Sequence, residues 1–162
     1  DVGAAEGNFS LSVIEKAGFV YLFEADPGWI SALEATFKPW REKVKIIRKF
    51  VSDKTAGDTI TLDDAFNEDR PIHFIKADVE GAEAEVLRGA KPILTDQERL
   101  RVAICTYHRQ EDADILDDIL GQHGFTNNFS DGYMLYYYGR TNVVREPFLR
   151  KAVLRAVRET TV

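Results

Sequence analysis

Two kinds of segment alternate along the chain. Continuous apolar runs of strand length, such as residues 19–24 and 101–106, are separated by segments with apolar residues at helical spacing, such as residues 82–94. Continuous apolar runs are typical of parallel strands that are buried on both faces. The alternation predicts an α/β fold with a doubly wound, mainly parallel sheet.

The other predicted elements follow from the same patterns and from turn residues. Further strands are predicted at residues 44–51, 59–62 and 72–77, and further helices at residues 11–17, 27–37 and 112–122. Asp131-Gly132 separates two strand-like runs, 125–130 and 133–138, which predicts an antiparallel hairpin at the C-terminal end.

The C-terminal residues carry many basic side chains, and residues 148–159 are predicted to form a helix. We therefore divide the chain into one domain, residues 1–140, and a basic helical extension, residues 141–162.

Composition limits the class of protein. The chain has 162 residues, a net charge of −6 and a pI near 5.1. The acidic balance argues against a nucleic-acid partner, because binding phosphates needs a concentrated basic face. No apolar run reaches the roughly 20 residues that span a bilayer. With Cys105 as the single cysteine and no signal peptide, a cytoplasmic location is expected.

Polar residues follow several of the predicted strands. Glu24 ends one strand, Asp78 follows a second and His108 follows a third, while a glycine-containing loop opens the chain. Parallel sheets bind ligands at the carboxyl ends of their strands. The pattern therefore predicts a cofactor cleft at that edge of the sheet.

Four sequence blocks carry a resemblance to a known family. They are DVGAAEG at residues 1–7, FEADP at 23–27, TLDD at 61–64, and KADVEGAEAEVLRGA at 76–90. The chain resembles the FkbM family of S-adenosylmethionine-dependent methyltransferases from residue 1 to about residue 138. This resemblance implies a Rossmann-like sheet with an antiparallel last strand. It also implies O-methylation of a sugar or natural-product hydroxyl, with a small-molecule or glycan acceptor as partner.

The resemblance also implies a set of cofactor-binding residues. Glu24 would accept hydrogen bonds from the two ribose hydroxyls, as a carboxylate can. Asp78 would close the cleft opposite the first loop. The first loop would contribute Asp1, Gly3, Ala4, Glu6 and Gly7, and the adenine edge would rest near Ala25, Asp26, Ser52 and Asp53.

Methyl transfer to a hydroxyl requires a group that takes the proton. The predicted catalytic residues are Asp78, with His108 and Glu80 assisting. Other interpretations stay open. Asp78, Glu80 and Glu83 could be acids that favour the start of a helix, and His108 could simply bind a loop. These side chains could also hold a hard cation, but their spacing matches no standard metal loop, so no metal is predicted.

In folds of this type the first strand precedes the glycine loop and lies in the middle of the sheet. Here the chain begins at that loop. We expect the first strand to belong to the natural protein and to be absent from this chain. A segment from another copy could fill the gap, which would make the protein a homo-oligomer.

Two other functions remain possible. An NAD(P)-dependent oxidoreductase shares the glycine loop and the ribose-binding acid, but the G-x-G-x-x-G spacing is missing. A non-catalytic, truncated remnant could act as an interaction module.

Overall fold

The computed structural model describes residues 1–66, 71–136 and 149–159. The helices are α1 Asn8–Val13, α2 Pro27–Thr36, α3 Leu62–Ala65, α4 Glu83–Arg88, α5 Lys91–Asp96 and α6 Asp112–Gln122, with a 3-10 turn at Lys38–Trp40. The strands are β1 Val20–Phe23, β2 Val44–Ile47, β3 Phe50–Val51, β4 Thr59–Ile60, β5 Phe74–Ala77, β6 Arg99–Cys105, β7 Thr126–Phe129, β8 Met134–Leu135, β9 Leu149–Arg150 and β10 Val153–Glu159.

The strands combine parallel and antiparallel pairs. One group has the order β5-β6-β10-β7, in which β5 and β6 are parallel and β10 is antiparallel to both of its neighbours. A second group pairs β1 with β2 in parallel. Two short ladders, parallel β3–β4 and antiparallel β8–β9, lie outside these groups. The predicted α/β class with an antiparallel C-terminal edge is confirmed.

Val2 joins the two strand groups. It forms parallel bridges to Phe23 at the end of β1 and to Ala77 at the end of β5. Its N–H donates to the carbonyl of Lys76 at 2.8 Å, and its own carbonyl accepts from the N–H of Asp78 at 3.1 Å. The predicted position of the first loop, at the middle of the sheet, agrees with this geometry. A cavity of about 1340 Å³ borders Val2 and is lined from both β1 and β5.

The predicted C-terminal hairpin is wrong. The run at residues 125–130 becomes β7, but β7 pairs with β10 and not with residues 133–136, the described part of the second run. In that second run β8 pairs instead with β9, and residues 137–138 lie outside the described part of the chain. The chain bends at Asp131-Gly132, with Gly132 at φ 78°. The strand that pairs with β7 is nevertheless the more buried β10, and not the run that follows this bend.

The predicted terminal helix is also wrong over its described residues. Leu154 and Ala156 are fully buried, and Arg155 between them is exposed. This period of two is that of a strand with one buried face, and the surrounding basic side chains obscured it. Because β10 lies inside the sheet, the predicted division into a domain 1–140 and a helical extension 141–162 does not hold for Val153–Glu159. Residues 141–148 and 160–162 lie outside the described residues.

Two predicted helices have different bounds. The segment 82–94 forms two helices, α4 and α5, because the chain turns at Gly89. Glycine is needed at this turn, since an added Cβ would lie 2.1 Å from the carbonyl oxygen of Ser52. Pro92 then sits in the first turn of α5, a position that proline favours. Helix α1 begins at Asn8, after Gly7, and not at Leu11 as predicted.

The largest hydrophobic core lies around β5, β6 and β10. Helices α4, α5 and α6 pack on it through apolar side chains that include Val86, Leu87, Leu94, Leu116 and Leu120, all fully buried. A smaller cluster of Ala4, Ile14, Leu22, Leu33 and Phe37 fixes α1 and α2 beside β1. The two clusters hold the strand ends on which the predicted site residues lie. None of the helices in residues 1–66, 71–136 and 149–159 has the length and apolar character needed to cross a membrane.

Replacing Leu154 with alanine tests the position of β10. Leu154 is fully buried, so Leu154→Ala should lower the free energy of unfolding by about 2–5 kcal/mol, measured by urea denaturation. The control Ile115→Ala, at a side chain of α6 that is 37% exposed, should cost clearly less. Equal losses in the two variants would contradict a central β10.

Candidate active site

The first loop packs directly on the residue that follows β5. An added Cβ on Gly3 would lie 2.0 Å from the carbonyl oxygen of Asp78, so only glycine fits. Gly3 also has φ 71°, which glycine adopts without strain. Lys76 reaches the same loop by donating from Nζ to the carbonyl of Gly3 at 2.7 Å. The loop and Asp78 therefore pack against each other, and closure of a cofactor cleft by Asp78 stays a prediction.

Glu24 ties this loop to the end of β1. One carboxylate oxygen, Oε2, accepts the N–H of Ala5 at 2.8 Å. The other, Oε1, accepts the N–H groups of Ala25 and Asp26 at 2.8 and 2.9 Å. Each oxygen has two lone pairs, so the carboxylate can still accept from a ligand hydroxyl. Ala5 itself has φ 45°, an uncommon backbone conformation that this hydrogen bond holds.

The carboxylate of Asp1 is buried and contacts other protein side chains. Its side chain is 1% exposed, and Oδ1 lies 3.1 Å from Lys76 Nζ. Ser10 donates its hydroxyl to the other oxygen at 2.7 Å. Ser10 is buried inside α1. Direct contact of Asp1 with a cofactor stays a prediction.

The remaining predicted cofactor residues occupy different surroundings. Ala4 is buried and donates its N–H to the carbonyl of Phe23, and Gly7 precedes α1 with φ 80°. Glu6 is exposed and accepts from Asn8. Asp26 caps α2 by accepting the N–H groups of Gly28 and Trp29.

Ser52 and Asp53 follow β3, and Ser52 packs against Gly89 at the end of α4. For these two residues, as for Ala25, contact with an adenine edge stays a prediction.

The predicted catalytic residues come together around one imidazole. His108 Nε2 lies 3.5 Å from Asp78 Oδ1 and 3.6 Å from Glu80 Oε2. On the opposite side of the ring, Nδ1 lies 2.9 Å from Glu83 Oε1. The His108 side chain is 2% exposed and that of Glu83 is fully buried, whereas that of Glu80 is 81% exposed. Three carboxylates therefore surround one histidine.

The turn after β5 creates this arrangement. Glu80 and Gly81 both have positive φ, 56° and 99°, so the chain reverses sharply before α4 begins at Glu83. Glu83 Oε1 also accepts the N–H of Val79 at 2.9 Å, which links the helix start to the turn. A non-glycine residue such as Glu80 in this conformation is strained, and such strain concentrates at functional sites.

Aromatic side chains and one arginine surround His108. Tyr107 donates its hydroxyl to Asp78 Oδ1 at 3.2 Å, and its ring lies 5.2 Å from that of Tyr136. Tyr136 also meets the His108 ring edge to face at 5.5 Å. Arg150, from β9, donates to the carbonyl oxygens of Tyr107 and His108 at 2.6 and 2.9 Å. The C-terminal strands thus help to hold the end of β6.

These surroundings shift the pKa values of His108 and Glu83. Burial disfavours a charged His108, but Glu83, Glu80 and Asp78 outweigh burial and raise the pKa of the imidazole above its usual range. Burial also opposes ionisation of Glu83, yet its contacts with His108 and the Val79 N–H keep the pKa of this carboxyl below its ordinary value. At neutral pH Glu83 is therefore an anion, and His108 can hold a proton that it receives.

Cys105 is unsuited to nucleophilic chemistry. Burial, followed by the charge of Asp78, raises the pKa of its thiol to about 12. A thiol that stays protonated is a poor nucleophile.

Three side chains of the cluster could also offer ligand atoms to a metal ion. Atoms of Asp78, Glu83 and His108 lie within 4.8 Å of one another. Glu83 Oε1, however, already accepts from Val79 and lies at hydrogen-bonding distance from His108 Nδ1. The absence of a metal therefore stays a prediction.

Several members of the cluster are not among the predicted catalytic residues. Glu83 is one of the acids near the strand ends that could act as a base, hold a metal or simply begin a helix, and nothing in the spacing shows that its side chain is buried against His108. Tyr107 is next to His108 in sequence, so proximity could have identified it. Arg150 lies 42 residues from His108 and in a predicted helix, so no local signal pointed to it.

A family comparison and structural comparisons agree on the class of this fold. The sequence profile of the methyltransferase FkbM domain matches residues 1–126. No curated protein gives a significant match.

Among solved structures, methyltransferase FkbM from Methylobacillus flagellatus KT has a TM-score of 0.74 at 19% identity, covering 96% of this chain and 42% of that protein. The chain thus spans less than half the length of that relative.

Two further structures share the fold at lower identity. Precorrin-6y C5,15-methyltransferase from Geobacter metallireducens GS-15 has a TM-score of 0.61 at 14% identity, with coverage of 99% and 78%. A methyltransferase from Streptococcus mutans, solved in complex with S-adenosylhomocysteine (SAH), has a TM-score of 0.58 at 17% identity, with coverage of 94% and 83%. The Rossmann-like fold predicted from the sequence is confirmed.

Substituting Gly3 tests the contact between the first loop and Asp78. Gly3→Ala should lower the melting temperature markedly, because its Cβ would collide with a backbone oxygen and its φ is unfavourable for alanine. Gly18→Ala is the control, since an added Cβ there meets no atom within 4 Å. Thermal unfolding followed by circular dichroism measures both. A Gly3→Ala protein as stable as Gly18→Ala would refute the close approach.

Proposed function

The chain belongs to the FkbM methyltransferase family, and on that premise we propose that it transfers a methyl group from S-adenosylmethionine to a hydroxyl of a sugar or natural-product acceptor. The observation that carries the proposal is the cluster of Asp78, Glu80 and His108 at the strand ends beside the first loop. The complex of the Streptococcus mutans methyltransferase with SAH supports the choice of cofactor.

The residues at the strand ends fit a cationic sulfonium cofactor. When bound, S-adenosylmethionine supplies an activated methyl group, so the protein mainly has to align donor and acceptor. Glu24 has one lone pair left, on Oε2, for a ribose hydroxyl, and Gly3 brings loop backbone against the end of β5. Asp78 adds negative charge across from that loop, which favours a positively charged ligand.

His108 is the proposed proton acceptor. Its Nε2 points to the side of the cluster where Asp78 and Glu80 lie. The O–H of the acceptor would donate its proton to Nε2, while Asp78 stabilises the imidazolium that results. The raised pKa of His108 favours holding this proton until the product leaves. Deprotonated His108 is required at the start, so activity should rise as pH increases through its pKa.

The surrounding aromatic rings suit a sugar acceptor. Tyr136 and Tyr107 lie beside His108, and Arg150 lies 5.4 Å from the Tyr136 ring centre. Aromatic faces pack against the C–H groups of sugars, while carboxylates bind hydroxyl groups. The position of Tyr107 and Tyr136 beside His108 supports stacking of a sugar ring on these side chains.

Family membership favours methyl transfer over the oxidoreductase that the sequence left open. Homo-oligomer formation, a cytoplasmic location and the alternative of a non-catalytic interaction module stay predictions.

Incubation with S-adenosylmethionine and a panel of glycans and polyketide alcohols tests the proposed activity. We expect one class of acceptor to gain 14 mass units per methyl group, the difference between O–H and O–CH3, in mass spectrometry. Transfer should be the same with and without EDTA, because no metal takes part in the proposed proton transfer. Methylation of only amines or carbon atoms would contradict the proposal, and loss of activity in EDTA would implicate a metal.

Replacing Asp78 tests the catalytic centre. Asp78→Ala should reduce kcat by about 10²–10⁴-fold, because the imidazolium loses its stabilising charge. Its melting temperature should stay close to that of the parent. Asp118→Ala, which removes an exposed acid on α6, is the control and should retain full activity. An Asp78→Ala enzyme with normal kinetics would exclude this role.

A further inference from the structure

The buried carboxylate of Glu83 lies on the side of His108 that faces away from Asp78 and Glu80. We propose that Glu83 is a positioning residue that holds the proton on Nδ1 of His108 and thereby keeps Nε2 free for the acceptor hydroxyl. The inference rests on the proposed function for its catalytic meaning, but the pairing itself can be tested without any reaction.

The burial of Glu83 requires a partner. Acids in the first turn of a helix normally remain in water, where the helix dipole favours them only weakly. Glu83 is instead fully buried, and its Oε2 has no hydrogen-bond partner among the described residues. An isolated carboxylate in this position would be strongly destabilising. A role in starting the helix does not explain such burial, because Glu85 is also an acid in the first turn of α4.

His108 is the group that compensates this burial. Its Nδ1 makes no hydrogen bond of standard geometry within the described chain, and the charged group beside it is Glu83 Oε1, 2.9 Å away. The N–H of Val79 donates to the same oxygen, which fixes the carboxylate in front of the ring. A carboxylate beside Nδ1 favours the tautomer that carries its proton there. The lone pair of the neutral ring is then on Nε2.

Charged groups on every neighbouring element act on this ring. Asp78 and Glu80 face Nε2 from the turn after β5, and Asp112 of α6 is buried and coupled electrostatically to both His108 and Glu83. Arg109 lies next to His108 in sequence and 3.7 Å from Glu85. Burial alone would lower the pKa of His108, and among the groups that raise it Glu83 is the strongest.

Nuclear magnetic resonance of 15N-labelled histidine tests the pairing. The chain has three histidines, His73, His108 and His123, so His108→Gln assigns the signal. In the parent protein the neutral ring of His108 should show a protonated Nδ1 and an unprotonated Nε2. In Glu83→Gln its titration midpoint should move to lower pH, because the anion that favours the imidazolium is gone. Glu111→Gln, the same change at an exposed position three residues from His108, should leave the midpoint unchanged.

Two results would overturn the inference. One is a neutral His108 with its proton on Nε2 in the parent protein, which decides the matter even if Glu83→Gln fails to fold. The other is an unchanged titration midpoint in a folded Glu83→Gln protein.

The pH dependence of methyl transfer connects the pairing to function. In Glu83→Gln the acid limb of kcat/KM should move to lower pH, in parallel with the His108 midpoint, and kcat should fall by about tenfold or more. A purely structural role would lower the melting temperature and leave the pH profile in place. If no acceptor is methylated by the parent protein, the proposed function fails, while the resonance data still decide the Glu83–His108 pairing.

Discussion

The backbone of Val2 is the contact on which the arrangement of the site depends. It pairs with β5 through the hydrogen bonds to Lys76 and Asp78, and its neighbour Asp1 accepts the N–H of Phe23 in β1. Strands β1 and β5 do not pair with each other in the described chain. The distance between the carboxylates of Glu24 and Asp78 is therefore set by one short segment between them. A ligand that contacts both acids must therefore span the one strand position that Val2 occupies between β1 and β5.

The active-site cluster shows how opposing charges are balanced in a confined space. Four acids, Asp78, Glu80, Glu83 and Asp112, influence one imidazole. Their repulsion would be costly if all were ionised around a neutral ring, and a cation relieves it. Both an imidazolium and a sulfonium compound supply such a charge. The geometry thus couples the protonation of His108 to the charge of whatever occupies the neighbouring cleft.

Much of the fold could be predicted from the sequence, since apolar runs identified the buried strands and turn residues marked their ends. Helix α6 and the start of α2 agree with prediction because a glycine or proline limits each. Strand β10 was not predicted because its alternating pattern has only two buried residues, Leu154 and Ala156, and the arginines around them suggested a basic helix. Its partners are also distant in sequence, and the register of a ladder depends on tertiary packing that no local pattern contains.

The candidate site was predictable only in part. Asp78, Glu80 and His108 were found because polar residues at the ends of parallel strands meet at one edge. The burial of Glu83 depends on how α4 packs against α6, and the approach of Arg150 depends on the path of the last strands. These features arise from contacts between remote segments, so composition and spacing could not indicate them.

The place of β10 in the sheet also constrains how the protein can mature. Strands β6 and β7 are made earlier than β10, yet β10 lies between them and pairs with both. A nascent chain on the ribosome therefore cannot close this edge until residue 159 has emerged from the exit tunnel. Until then β6 and β7 expose open backbone edges, the kind of surface that promotes aggregation and chaperone binding. Closure of this part of the sheet thus waits for residues 153–159, and Arg150, which holds the backbone of His108, arrives in the same late step.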